Sequence, residues 1–470
     1  MPLHVNIDTD RIVRIAVCNL EAVSTGVMAF AGYLSSLILY FTINRIFLAA
    51  ILIPLYLYKV ALSLLPSAIK NSLNLLTPCG WSRLAENAEE YREDSDALAH
   101  SQLDGSYRFE ADEVFHVKKN SRGWMETAPW ANDTHEFNVC GATVRYVHLR
   151  ASYSRILQDG RRIHRPIVFL HGNPSWSYMW RNVFHPLLER GHDVYAIDWL
   201  GHGRSDKILC PEAITFELHI RTLVRFFEVT ELQDAIIAAH DWGGCIALCT
   251  TPRLPPNTCT SLFLLNTFFP PRASDASLHS RLLNRIWYCI TGLLHGFLPT
   301  SAALRFLAPS LTNEDIKAYT APYSGLPRSS KSSIERFAHI APSLPRSILF
   351  TLRQTFLWKV FEGLTGPSHF ETLTTQSRLA AQDDQVRRYW GSTQDEADSS
   401  MEVVVVFGDG DPLRRDCRAV LLREIHPERM VKWAAKGLWI TGAGHVPVEG
   451  KAGQVAGLIA RFARGERGWR

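Results

Sequence analysis

The stretch that decides the fold is Ile236-Ile237-Ala238-Ala239-His240-Asp241-Trp242-Gly243-Gly244. An apolar run suited to a buried parallel strand ends abruptly in a turn of small residues, and a helix-compatible segment follows. At the centre of the turn stands Asp241, where elbows of this pattern often carry a serine. A strained elbow holds its central side chain clear of the sheet, and the start of the following helix offers free backbone N–H groups to an anion. A carboxylate is ionised at neutral pH and needs no base to become a nucleophile. Asp241 is therefore a candidate nucleophile. Asp is also a favoured helix cap, so a strand-end Asp that merely caps the helix is the competing reading, and this stretch alone leaves both open.

Outward from the elbow the pattern is regular. Residues 135–150 (HEFNVCGATVRYVHLR) alternate apolar and polar around Gly141, as an antiparallel hairpin does. Short apolar strands are expected at 166–170, 193–198, 234–239, 262–265, 403–407 and 431–440. Helices are expected between them at 177–190 and 212–229, and at the C-terminus over 453–463. Strands alternating with helices predict an α/β fold, a mostly parallel sheet with helices on both faces. Ligands in such sheets bind at the carboxyl ends of the strands. From 270 to about 398 the strands disappear, and segments 278–298, 313–319, 332–340 and 369–389 read as helices separated by prolines. A helical insertion there makes a cap over the carboxyl edge of the sheet.

Each strand end carries polar residues where a site would lie. His171-Gly172-Asn173-Pro174 follows the first parallel strand, Gly408-Asp409-Gly410-Asp411-Pro412 follows VVVVF, and Gly442-Ala443-Gly444-His445 follows the last strand. Nucleophile, acid and histidine in this order suit a catalytic triad of Asp241, Asp411 and His445, with Asp409 the alternative acid. His240 reads as a residue that packs or orients the elbow, and Arg181 as structural.

Composition narrows the rest. At 470 residues the chain has room for two or three units, and a net charge of +4 is too small at that length to imply a nucleic-acid partner. Its nine cysteines are scattered without a C-x-x-C pair, so no disulfide framework, metal site or cofactor is expected. The N-terminal region is different. Residues 27–43 (VMAFAGYLSSLILYFTI) carry no charge, and a second apolar run, 46–65, is interrupted only by Lys59. We read these as a helical membrane anchor of undetermined orientation, ahead of a buried helical pair or a cleaved signal. Residues 84–113 are acidic and polar, which reads as a solvated linker or helical stalk. The expected organisation is an anchor at 1–75, a stalk at 76–133, core at 134–270, cap at 271–398 and core again at 399–470.

On the motifs HGNPSWSYMWR (171–181), DWLGHGRSDK (198–207), HDWGG (240–244), LLNT (264–267), APSLTNEDIKAYTAPY (308–323), GDGDP (408–412) and GAGH (442–445), residues 134–470 resemble the haloalkane dehalogenase branch of the α/β-hydrolase fold. Ala239 departs from the first glycine common at the elbow. The resemblance implies that Asp241 displaces a leaving group from carbon and forms an alkyl ester. His445, oriented by Asp411, then activates the water that hydrolyses it. It also implies an oxyanion hole from the backbone N–H groups of Asn173 and Trp242. The Asn173 amide and the Trp242 indole would bind the halide, with Trp287 a further donor in the cap. The implied partners are a small hydrophobic substrate, water and a membrane. The same motifs are similar to membrane-associated β-lactone decarboxylases and, less closely, to epoxide hydrolases, for which Tyr288, Tyr319 and Tyr323 would supply cap acids. A catalytically silent, membrane-tethered binding protein is the alternative of another class.

Overall fold

The apolar runs read from the sequence become neighbours in one sheet. The computed structural model describes residues 71–118, 130, 133–151, 164–270, 300–337, 340, 355–365, 384–393, 401–413 and 416–465. In chain order, helix α1 (Pro78–Asp104) precedes β1 (Val114–Phe115) and a hairpin of β2 (Thr134–Val139) and β3 (Ala142–Leu149). Then come β4 (Ile167–Leu170), α2 (Arg181–Leu188), β5 (Val194–Asp198), β6 (Lys207–Ile208), α3 (Phe216–Thr230), β7 (Ala235–His240), α4 (Trp242–Thr250) and β8 (Cys259–Leu265). The segment expected as a cap contributes α5 (Thr300–Leu307), α6 (Asn313–Thr320), α7 (Ser332–Arg336) and α8 (Phe356–Thr365). The chain returns to the sheet with β9 (Glu402–Gly408), α9 (Cys417–Glu424), β10 (Leu438–Ile440) and α10 (Val448–Ala463).

The main sheet has eight strands in the order β10-β9-β8-β7-β4-β5-β3-β2. From β10 to β5 every pair is parallel, and the β2–β3 hairpin closes the far edge antiparallel to β5. The elbow strand β7 lies between β4 and β8, so its carboxyl end opens at the centre of the sheet.

Both faces of β7 are buried, which is why it reads as a continuous apolar run and not as an alternation. Ile236 and Ala238 join Val183, Phe184, Leu187, Val455 and Ile459 from α2 and α10 on one face. Ile237 and Ala239 join Leu218, Leu223 and Ile246 from α3 and α4 on the other. Each large aliphatic side chain buried this way contributes on the order of 1.5–3 kcal/mol.

The acidic stretch expected as a linker or stalk is helical, and it is docked against the body of the protein. Thr77 caps α1 by accepting from the Gly80 N–H at 3.1 Å. Leu84, Ala85, Ala88 and Ala99 turn inward, and α1 packs on α3 and α8. The buried Gln102 donates to the Ala213 carbonyl at 2.8 Å and accepts from Thr215. The face that packs is made of small residues, whose weak hydropathy is masked by the acids on the opposite side.

Two other expectations shift. The last strand is confined to Leu438–Ile440, because Lys432–Ala434 form a 3-10 turn instead of extended chain. The helix at 332–340 is regular only over Ser332–Arg336. The helix expected at 278–298, and with it Trp287 and Tyr288, lies outside the described residues. So do both apolar runs of the expected anchor. Among the described residues no helix is long and apolar enough to cross a membrane.

Candidate active site

The site assembles where β7, β4, β8, β9 and β10 end. At the elbow Asp241 adopts φ 48° and ψ −118°, and α4 begins at the next residue. Its side chain makes no capping hydrogen bond to α4, which removes the reading of Asp241 as a plain helix cap. Two glycines make so tight a turn possible. A Cβ at Gly243 would lie 2.7 Å from the carbonyl oxygens of Leu170 and His171, and one at Gly244 would run into Thr267. The Thr267 hydroxyl ties down the turn by donating to the Asp241 carbonyl at 2.5 Å.

The three residues expected as a triad are brought together and buried. His445 Nδ1 lies 3.1 Å from each carboxylate oxygen of Asp411, which makes Nδ1–H the donor and puts the ring's lone pair on Nε2. That Nε2 faces Asp241 Oδ1 at 3.8 Å. The geometry also separates the two candidate acids. Asp411 bonds to His445, whereas Asp409 accepts from the Gly442 N–H at 2.8 Å and braces the turn before the histidine.

Two further residues hold Asp411 and His445 in place, and sequence reasoning did not assign them these roles. Asn266, in the left-handed region at φ 44° just beyond β8, donates to Asp411 Oδ2 at 2.7 Å and accepts from the Gly408 N–H at 2.9 Å. It fixes the acid against both its own strand and its neighbour. The LLNT motif carried the signal, as a polar residue at a strand end. His240 bonds to the His445 carbonyl at 2.8 Å through Nε2. Burial pushes its pKa down to about 4, assisted by the neighbouring His445, so it is a neutral donor that positions the histidine's backbone.

Asn173 follows β4. Its backbone N–H points at Asp241 Oδ2 from 3.4 Å, the direction required of an oxyanion-hole donor. Trp242 is the first residue of α4, where backbone N–H groups lack intrahelical partners. Its indole packs edge-on against Phe268 and Phe337, with centroids 5.0 and 5.1 Å away, and no described residue accepts from its Nε1. The Asn173 side chain donates to the Ile334 carbonyl in α7 at 3.0 Å, and one amide hydrogen remains uncommitted among the described residues.

Beside His445 a cavity of about 10 Å³ is lined by Asn173, Ser175, His240, Leu307 and Tyr319 among others. That volume holds about one water. The described cap tyrosines are committed elsewhere. Tyr319 bonds to Glu449, and the Tyr323 hydroxyl donates to the Gly201 carbonyl at 3.2 Å. Arg181 is structural, as expected. It bridges Glu449 of α10 at 2.7 Å through both carboxylate oxygens and Asp315 of α6 at 2.7 Å, so it joins core to cap.

Comparison with known proteins agrees with this architecture. A family model described as the alpha/beta hydrolase fold matches residues 165–413, more than half of the chain. A haloalkane dehalogenase of Mycolicibacterium paratuberculosis is 38% identical over 105 residues, covering 22% of this chain and 35% of that protein. Haloalkane dehalogenase 1 of Mycobacterium bovis is 43% identical over 83 residues, covering 18% of this chain and 28% of that protein. The chain thus spans about a third of the length of these curated relatives. Among solved structures, haloalkane dehalogenase DpaA from Paraglaciecola agarilytica NO2 is similar with a TM-score of 0.52 and 18% identity, covering 73% of this chain and 97% of that one, a likeness of fold. With the parallel sheet, the elbow and the family match in agreement, the chain belongs to the α/β-hydrolase fold family.

Proposed function

We propose that the protein hydrolyses carbon–halogen bonds of small hydrophobic haloalkanes through an ester on Asp241. The reading is carried by one observation. The elbow presents a carboxylate that faces His445 on one oxygen and the Asn173 N–H on the other. Asp241 Oδ1 attacks the carbon bearing the halogen, the carbon–halogen bond breaks, and the halide leaves with the bonding pair. The Asn173 amide and the Trp242 indole N–H receive it, soft donors without a competing carboxylate. Trp287 would add another donor from the cap. His445 Nε2 then takes a proton from water as its oxygen attacks the ester carbonyl, and Asp411 steadies the imidazolium. Charge gathers on Oδ2, where the backbone N–H groups of Asn173 and Trp242 stabilise it by about 2.7–4 kcal/mol each. Collapse returns Asp241 and releases alcohol, halide and a proton.

Purified protein incubated with 1-bromo- and 1-chloroalkanes tests this by halide release. Release no greater than that of Asp241→Asn would sink the proposal. The apolar runs at 27–43 and 46–65 favour a second reading, in which a chain tethered by residues 1–75 acts on long-chain β-lactones and yields alkenes, detectable by mass spectrometry. In this organisation residues 76–133 lead to a core at 134–270 and 399–470, interrupted by a cap at 271–398. Epoxide opening is less well supported, since Tyr319 and Tyr323 already spend their hydroxyls on Glu449 and Gly201. A silent binding role would be favoured if Asp241→Ala left every cellular phenotype intact.

A further inference from the structure

The halide-binding reading leaves one requirement unmet: the Asn173 amide must present nitrogen, and not oxygen, to the leaving group. A primary amide is nearly symmetric in shape, so neighbours must decide which way it points. On one side is the Ile334 carbonyl at 3.0 Å, which can only accept, so the Asn173 atom facing it is Nδ2. On the other side Asn173 Oδ1 lies 3.2 Å from His202 Nε2. An oxygen needs a donor there; the other ring nitrogen, Nδ1, faces the Leu200 carbonyl at a longer 3.3 Å, and the shorter contact to Asn173 favours the proton on Nε2. The alternative tautomer would set a nitrogen lone pair against the amide oxygen, in a site where both residues are buried.

The segment that carries His202 is built to hold it still. Asp198 accepts from the backbone N–H of Arg204 at 2.9 Å and of Ser177 at 2.8 Å. The buried Lys207 ammonium donates to the Gly203 carbonyl at 2.6 Å and the Ser205 carbonyl at 2.7 Å. A Cβ at Gly201, at φ 82°, would collide with the Ser333 side chain, so α7 rests directly on the loop. The same helix thus supplies the Ile334 carbonyl and presses on the segment that supplies His202.

We infer that His202 is a positioning residue that locks the Asn173 amide, with the Ile334 carbonyl, so that its second N–H faces the leaving group. The inference rests on the proposed reading of Asn173 as a halide donor. Without His202 the amide oxygen loses its donor, the Ile334 carbonyl alone holds the orientation, and the fraction of amide that flips turns an oxygen toward the anion.

Bromide titration of the full-length protein, followed by tryptophan fluorescence, tests this. His202→Phe raises the bromide dissociation constant about tenfold, the scale of one well-made hydrogen bond to an ion. His202→Gln, which keeps a side-chain N–H, stays within about threefold of the parent. In an Asn173→Ala background the His202→Phe change has no further effect. His202→Met, also without an N–H, gives the same result where the phenylalanine ring prevents folding. Parent-like bromide binding in His202→Phe, while Asn173→Ala has lost it, overturns the inference and leaves the halide reading intact. So does an equal loss from His202→Phe in the Asn173→Ala background. If the parent and Asn173→Ala bind bromide identically, the halide reading itself fails and the inference falls with it.

Discussion

On the proposed reading, the contact of His445 Nδ1 with Asp411 marks which of two neighbouring aspartates is the acid. Asp411 receives Nδ1–H of His445, and Asp409 receives a backbone N–H from Gly442. Asp411→Asn, which offers that proton an amide in place of a carboxylate, lowers turnover by about three orders of magnitude. Asp409→Asn leaves turnover within about threefold and costs about 1 kcal/mol in denaturant unfolding. Equal loss in both variants would remove the assignment. His445 tests the two-step chemistry in another way. His445→Gln keeps the nucleophile but removes the base, so the alkyl ester forms and stays. Intact-mass spectrometry after exposure to a 1-bromoalkane then shows the mass of the alkyl group added to the protein, absent from Asp241→Asn. Asp241, Asp411 and His445 were legible in the sequence because each is a polar residue at the end of an apolar strand. Asn266 shared that signal, yet its role depends on which carboxylate it touches 145 residues away, and spacing along the chain does not carry that.

At the scale of elements, the most legible feature was the elbow and the least legible was α1. The elbow is local: a strand, two small residues and a helix are contiguous, and the physics that bends them is written within nine residues. Docking of α1 is not local. Its buried Gln102 finds partners at Ala213 and Thr215, and no periodicity in 84–113 announces them. The join between core and cap is similarly remote. Arg181 of α2 meets Glu449 of α10 and Asp315 of α6, and Glu449 is almost wholly buried. Arg181→Ala leaves that carboxylate without a cationic partner, only the Tyr319 hydroxyl remaining, and destabilises the fold by about 3 kcal/mol, read as a lower midpoint in urea. Because α6 also contributes Tyr319 to the cavity beside His445, the Michaelis constant rises more than the unfolding midpoint alone would suggest. An unchanged midpoint would show that the clamp carries no net stability.

Across the whole molecule, the mostly parallel sheet followed from the alternation of strands and helices, whereas the order of its strands was not legible in the sequence. What the sequence concealed is how many histidines the carboxyl edge of the sheet buries. Burial pushes His171 and His240 down to about 4 and His219 to about 3, and lowers His202 as well. In the unfolded chain each would protonate near pH 6.5. As pH falls from about 6.5 to about 4, the unfolded chain therefore binds protons that the folded molecule refuses, and stability drops with pH. Above about pH 7.5 these residues are neutral in both states and contribute no slope. His219 offers a way to isolate one share of the effect. It stacks on Phe337 with ring centroids 4.7 Å apart, and neither of its nitrogens has a hydrogen-bond partner among the described residues. His219→Phe keeps an aromatic ring in that stack and removes the titration. Urea midpoints measured from pH 8 to pH 5 fall less steeply in His219→Phe than in the parent, while the two converge in slope above pH 7.5. An identical acid slope would mean that His219 takes up its proton in the folded state, which would require a water or an anion beside Phe337 and, through that ring, near Trp242.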